Sequence, residues 1–343
     1  MYVDANNLYG WALSKLLPDV ENKWMSDDEC LEAFGAFQDK AFCDRWFDEH
    51  EKQYYFEVDV DYLSELHDRD DDYQLAPETK TIEVVMTSEK QHEPRAMYFG
   101  AASPFSRKLV CSFLAKRKYV RQGYNLRFDL DRGMKLVIIH RGISCTASPY
   151  FEPYITNNNN KRKQCKNDEV LQNFYKLMNN SVYGQTIENV AKRSEVKLVT
   201  DEIVARRLSE KPHCVDFRLF GNYLIGFEMR KLRHVINKPF QIGFSVLEWS
   251  KLKIAQFYAL LKDAFGDKVR MLYTDTDSFF LQFFVDDLAK EINARPQVRD
   301  AFDFSEISPG HISKLARSNA QLHAGEVGYF KDECKNDPIV EFV

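Results

Sequence analysis

The sequence predicts an α+β fold. Short apolar, partly β-branched runs alternate with segments of helical periodicity. Two of the strongest β runs, Val269 to Tyr273 and Phe279 to Phe283, flank a short polar tip. No internal repeat or flexible linker interrupts the 343 residues, which suffice for two or three packed subdomains and a large core.

Each element has a local reason. Tyr2-Val3 reads as the end of a strand, Ala5-Asn6-Asn7 as a turn, and Leu8 to Leu17 as a short helix stopped by Pro18. A helix around Asp27 to Phe42, a strand at Tyr54 to Val60 and an acidic stretch, Asp68-Arg69-Asp70-Asp71-Asp72, follow; the stretch reads as a solvated loop. Tyr124 to Arg132 is helical in spacing and ends at Gly133, and Met134 to Ile139 is a strand. Ser148-Pro149 supplies a cap and a first-turn proline for a helix that the run Asn157 to Asn160 breaks, because Asn competes for backbone hydrogen bonds. A second helix, about Asn167 to Val190, completes an antiparallel helical hairpin. Short strands around Lys197 and at Phe217 to Phe227, then a helix from about Ser245 to Phe265, lead into the two facing strands.

Composition narrows the function classes. A net charge of −5 excludes a uniformly basic nucleic-acid binder, so contact with nucleic acid has to come from local patches. Three exist, Arg107 to Arg121, Lys161 to Lys166 and Arg230 to Lys253, and each taken singly reads as a solvated face. Aromatic residues make up 14% of the chain, for core packing first and base stacking second. Seven cysteines, odd in number and never spaced C-x-x-C, argue against a disulfide framework or a zinc ribbon and suit a reducing, intracellular compartment. No apolar run reaches membrane-span length and no secretory signal opens the chain, so no membrane partner is expected.

The chemistry concentrates at the polar tip, Tyr273-Thr274-Asp275-Thr276-Asp277-Ser278. Carboxylates this close repel one another unless a cation compensates, and hard oxygen ligands favour magnesium or manganese. By itself a D-x-D is more often a surface turn. Two further segments occur upstream in order: Asp4-Ala5-Asn6-Asn7-Leu8-Tyr9-Gly10, and Lys176-Leu177-Met178-Asn179-Asn180-Ser181-Val182-Tyr183-Gly184. The three together resemble motifs A, B and C of family B DNA polymerases, in which C has the form YxDTDS and B the form KxxxNSxYG, and A is an Asp followed five positions later by Tyr. Asn237-Lys238-Pro239 to Leu252 and Gly328 to Val343 look like the protein-primed branch, especially polymerases of Polinton-type mobile elements and related viruses.

The resemblance implies a polymerase palm, an antiparallel sheet with packed helices, and a helical-hairpin fingers subdomain. Residues 1–147 would be palm with an inserted subdomain, 148–190 the fingers with motif B, and 191–343 palm with motif C, ending before the thumb. It implies template-directed addition of deoxynucleotides to a primer 3′ end, with Asp4, Asp275 and Asp277 as catalytic carboxylates. Asp4 and Asp277 would hold two Mg2+ ions directly, Mn2+ being an alternative, and Asp275 would support them. Asp4 also reads, by itself, as a helix N-cap.

Tyr9 would exclude a 2′-hydroxyl, and Gly10, where many members have Pro, would loosen the turn after it. Lys176, Asn180, Tyr183 and Gly184 share one helix face and would meet the incoming nucleotide. Arg162, with Lys163 and Lys166, would add triphosphate contacts. Implied partners are template-primer DNA, deoxynucleoside triphosphates and a priming terminal protein. Phe56-Glu57-Val58-Asp59-Val60-Asp61 reads as an ordinary strand rather than an exonuclease centre, and His140-Arg141 as structural or phosphate-contacting. Because the motifs begin at residue 4, the reading expects no proofreading domain and a fragment that is either an active polymerase or an inactive remnant that binds DNA.

Overall fold

The computed structural model describes residues 1–39, 52–83, 105–165, 168–221, 223–305 and 323–334. They form a mixed α and β architecture of largely antiparallel sheets with packed helices. The chain divides into two compact units, residues 1–180 with 245–343, and residues 181–244.

In the first unit a five-stranded sheet runs in the order β11-β12-β1-β14-β13, with β1 at Tyr2–Ala5, β11 at Val269–Asp275, β12 at Ser278–Phe283, β13 at Phe302–Asp303 and β14 at Phe330–Asp332. β1 lies in the middle, antiparallel to β12 through Val3 opposite Phe279 and to β14 through Val3 opposite Asp332. Helix α7, Phe240–Phe265, places Ile254, Phe257, Tyr258 and Leu261 in one buried cluster with Val3, Val269, Phe279 and Phe330 of the sheet. The Phe257 and Phe330 rings stack with centroids 3.6 Å apart. Burying such rings is worth roughly 1.5–3 kcal/mol each, so the strand carrying Asp4 is anchored by its apolar neighbours Val3 and Ala5.

A second sheet of the same unit has the order β2-β7-β3-β6: β2 Leu17–Trp24, β3 Lys52–Asp61, β6 Lys116–Gln122 and β7 Lys135–Ser148. Helices α2 (Asp27–Gln38) and α3 (Gly123–Asp131) supply residues to its core around Phe56, Val58 and Leu126. α2 opens with a capping box, Ser26 Oγ accepting from Glu29 N at 3.2 Å and Ser26 N donating to Glu29 Oε2 at 2.7 Å. β4 (Glu78–Glu83) and β5 (Phe105–Val110) form a separate two-stranded pair.

Several elements differ from expectation. Helix α1, Leu8–Leu13, ends four residues before the expected stop, and Pro18 sits in β2, an edge strand, where a missing N–H is tolerated. The acidic stretch is a loop, yet Asp70 is buried, accepting from the Tyr62 hydroxyl at 2.6 Å. The strand begun at Met134 runs to Ser148, and the next helix, α4, spans Glu152–Gln164 straight through the Asn run. Asn158 is buried there and donates to Asn179 Oδ1 at 2.9 Å, so its amide serves a partner helix instead of competing with its own backbone. That partner is α5, Glu169–Thr186, which also accepts from Tyr154 Oη at the Met178 carbonyl, 3.1 Å. Residues 40–42 and Lys166 lie outside the described residues.

The second unit is a three-stranded antiparallel sheet, β8-β10-β9, with β8 Ser194–Val199, β9 Cys214–Leu219 and β10 Ile225–Arg230. The strand region expected at Phe217 to Phe227 covers the end of β9 and the start of β10. Helix α6, Glu202–Ser209, covers one face with Ala205 and Leu208 against Phe227 and Met229. An irregular segment, residues 231–239, follows β10.

Candidate active site

β1 and the β11–β12 hairpin place two of the predicted carboxylates together. Asp4 lies opposite Ser278, and Ala5 N donates to the Asp277 carbonyl at 2.8 Å, so the turn carrying Asp277 is bonded directly to the strand carrying Asp4. The turn is tight: Thr276 adopts a left-handed φ of 53°, and Asp277 N donates to the Asp275 carbonyl at 2.6 Å. Thr276 Oγ1 donates to Asp275 Oδ1 at 3.1 Å, and Ser278 Oγ to the Asp275 carbonyl at 3.2 Å. Asp4 and Asp277 are half-buried, whereas Asp275 is exposed.

Electrostatics bind these groups into one site. Burial, then the charges of Asp277 and Glu333, push Asp4 up to about 6 against the opposing pull of Lys176 and Lys331. Burial and the Asp275 charge likewise raise Asp277, and Lys176 again opposes. Lys176, exposed on α5, is therefore the predicted motif B residue whose charge reaches both carboxylates. Lys331 faces Asp4 from β14 and forms an ion pair with Glu333 at 3.1 Å. It escaped the sequence reading, because nothing local announces that β14 pairs with β1.

The other predicted residues are placed as follows. Tyr9 is half-buried on α1, Leu8–Leu13, and Asn7 is the N-cap of that helix, so Asp4 is not a cap but a strand residue. Gly10 lies inside α1, and its N–H donates to Asn7 Oδ1 at 3.3 Å. A Cβ at Gly10 would run into the Asn7 side chain, so this close approach of the cap favours glycine. Asn180 is half-buried at the end of the first unit, near the Asn158–Asn179 contact. Tyr183 and Gly184 belong to the second unit, and Arg162 is half-buried in the last turn of α4. His140 and Arg141 lie within β7 and pair with Asp59 and Glu57 of β3 at 2.8 and 2.6 Å, so two of the strand's alternating acids find partners across the sheet.

A brace behind the hairpin was not foreseen. β11 bulges against β12 between Met271 and Tyr273, and Met271 N donates to Asp72 Oδ2 at 3.1 Å. The Tyr258 hydroxyl donates to the same oxygen at 2.6 Å, and Lys262 stands 3.8 Å away. Asp72 thus accepts from one strand and one helix at the foot of the arm that carries Asp275.

Among the described residues no three His, Cys, Asp or Glu side chains gather as a metal cluster. The donor set is two half-buried carboxylates of like charge with an exposed third beside them. That set suits magnesium, which takes one or two carboxylates and fills its shell with water and substrate phosphate oxygens.

No protein-family model matches the sequence, and no curated protein does. Among solved structures the chain is similar to phi29 DNA polymerase. The orthorhombic crystal form aligns at a TM-score of 0.47 and 14% identity over 97% of this chain and 42% of that one. A ternary complex with primer-template DNA and incoming nucleotide substrates aligns at 0.46 and 16% identity over 85% and 40%, and a post-translocation binary complex at 0.45 and 15% over 97% and 42%. The chain spans about two fifths of the length of those chains.

Proposed function

We propose that this chain carries the polymerising centre of a family B-type DNA-directed DNA polymerase. The observation that supports the reading is the meeting of Asp4 with Asp277, with the Lys176 charge reaching both. The five-stranded sheet with α7 would be the palm, and α4 with α5 the fingers.

In this reading Asp4 and Asp277 hold Mg2+, with Asp275 supporting them from the arm that Asp72 braces. The metal would neutralise charge that develops on the transferred phosphoryl group. Ligand carboxylates must be ionised, so as pH falls below the raised value of about 6 Asp4 gains a proton and would lose its hold on the metal. Lys176 orients the triphosphate by charge, and Tyr9 limits the sugar to a deoxyribose. Arg162, Asn180, Tyr183 and Gly184 keep the nucleotide roles that the motif resemblance implies. Initiation on the hydroxyl of a terminal protein, as in the protein-primed branch, belongs to the same proposal.

Primer extension on a DNA template tests it. The expected result is magnesium-dependent incorporation by the purified chain, abolished in Asp277→Asn, with little on an RNA template. Retained template-primer binding without any incorporation would sink the reading and leave a DNA-binding module in its place.

A further inference from the structure

The second unit contains a cavity of about 400 Å³ that the polymerase reading does not use, lined by Arg193, Lys231, Arg233, His234 and Asn237 with apolar walls that include Val190. None of its lining residues is acidic. The nearby carboxylate of Glu188 is already engaged, by Arg193 through two bonds of 2.6 Å and by Lys238 at 2.9 Å. Lys231 and Arg233 are exposed on the irregular segment after β10, and neither has an ion-pair partner among the described residues. His234 is oriented by a 3.0 Å contact between Nδ1 and the Val190 carbonyl.

We infer that this cavity binds a terminal phosphate monoester, of a nucleic-acid strand end or a free nucleotide. The volume falls in the range of pockets that enclose a small ligand, whereas a phosphodiester backbone needs a surface along which to run in both directions. A monoester carries close to two negative charges, which suits two uncommitted cations and the remaining donors of a third. Arginine's planar fork is matched to phosphate oxygens, and Arg233 presents one without a carboxylate to compete. This assignment rests on the cavity and stands whether or not the chain polymerises DNA.

The test is fluorescence polarisation of the full chain with two single-stranded oligonucleotides of one sequence, bearing a 5′-phosphate or a 5′-hydroxyl. The site predicts binding about tenfold or more tighter for the phosphorylated strand. It also predicts loss of that difference in the double variant Lys231→Ala/Arg233→Ala, whose melting temperature stays unchanged because both side chains are exposed. If a nucleoside 5′-monophosphate competes at similar concentration, the free nucleotide is the ligand. If it does not, while the 5′-phosphate preference stands, the strand end is the ligand. Equal affinity for both strands, or a preference that survives the double substitution, overturns the assignment.

Discussion

Asp4 and Asp277 are set where their charges oppose each other, and a folded chain without a cation bears that repulsion. Substituting either should therefore separate function from stability. Asp277→Asn is expected to lower incorporation by about a hundredfold or more while raising the melting temperature of the metal-free chain by about 1–2 °C. A melting temperature that falls instead would show that the carboxylate is structural, and added magnesium should stabilise the native chain but not the variant. Asp72 makes the opposite case. Asp72→Ala leaves Met271 N–H and the Tyr258 hydroxyl without their acceptor and should cost about 1–3 kcal/mol, read from the urea midpoint. The Asp4 and Asp277 motifs were legible because they are contiguous strings. The Asp72 brace was not, because its partners lie 186 and 199 residues away in sequence.

Among the elements, β11, β12 and α7 were readable because a strand's apolar run or a helix's periodicity is local. Their supporting role depends on long-range packing. Phe279 is fully buried on β12, opposite Val3 of β1 and one residue beyond the turn's Ser278. Phe279→Ala should cost about 3–5 kcal/mol, and it should reduce extension by loosening Asp277 even under conditions where the chain stays folded. Unchanged incorporation in a folded Phe279→Ala chain would show that the hairpin does not depend on this anchor. Where the sequence misled, a distant partner had intervened. The Asn run stayed helical because Asn158 found Asn179, and Pro18 entered a strand because β2 is an edge. The alternating acids of β3, by contrast, form the ordinary strand expected of them, with Asp59 and Glu57 meeting His140 and Arg141 of β7.

The molecule as a whole is two units, and the smaller has its own electrostatic clasp. Hydrogen bonds from Arg193 and then Lys238 hold Glu188 down to about 2. A depressed carboxylate contributes its stability above the unfolded value of 4.5 and loses it as pH falls toward 2. Amide protection around residues 188–193, corrected for intrinsic exchange, should decline across that window, and Glu188→Gln should remove the dependence. Because these side chains are only partly buried and open to solvent, high salt should weaken the effect, and a decline indifferent to salt would assign it to another group.

The placement of β1 in the middle of its sheet also sets a schedule. Met1 donates to the Leu281 carbonyl across 280 positions, and at typical synthesis rates of about 5–20 residues per second that partner emerges roughly 14–56 s later. Meanwhile the strand bearing Asp4 has no neighbours, while residues 181–244 have every contact of their own unit. In refolding, amides of β8 and β10 should therefore gain protection before those of β1. The carboxylate on which the proposed chemistry depends would be among the last groups to reach its place.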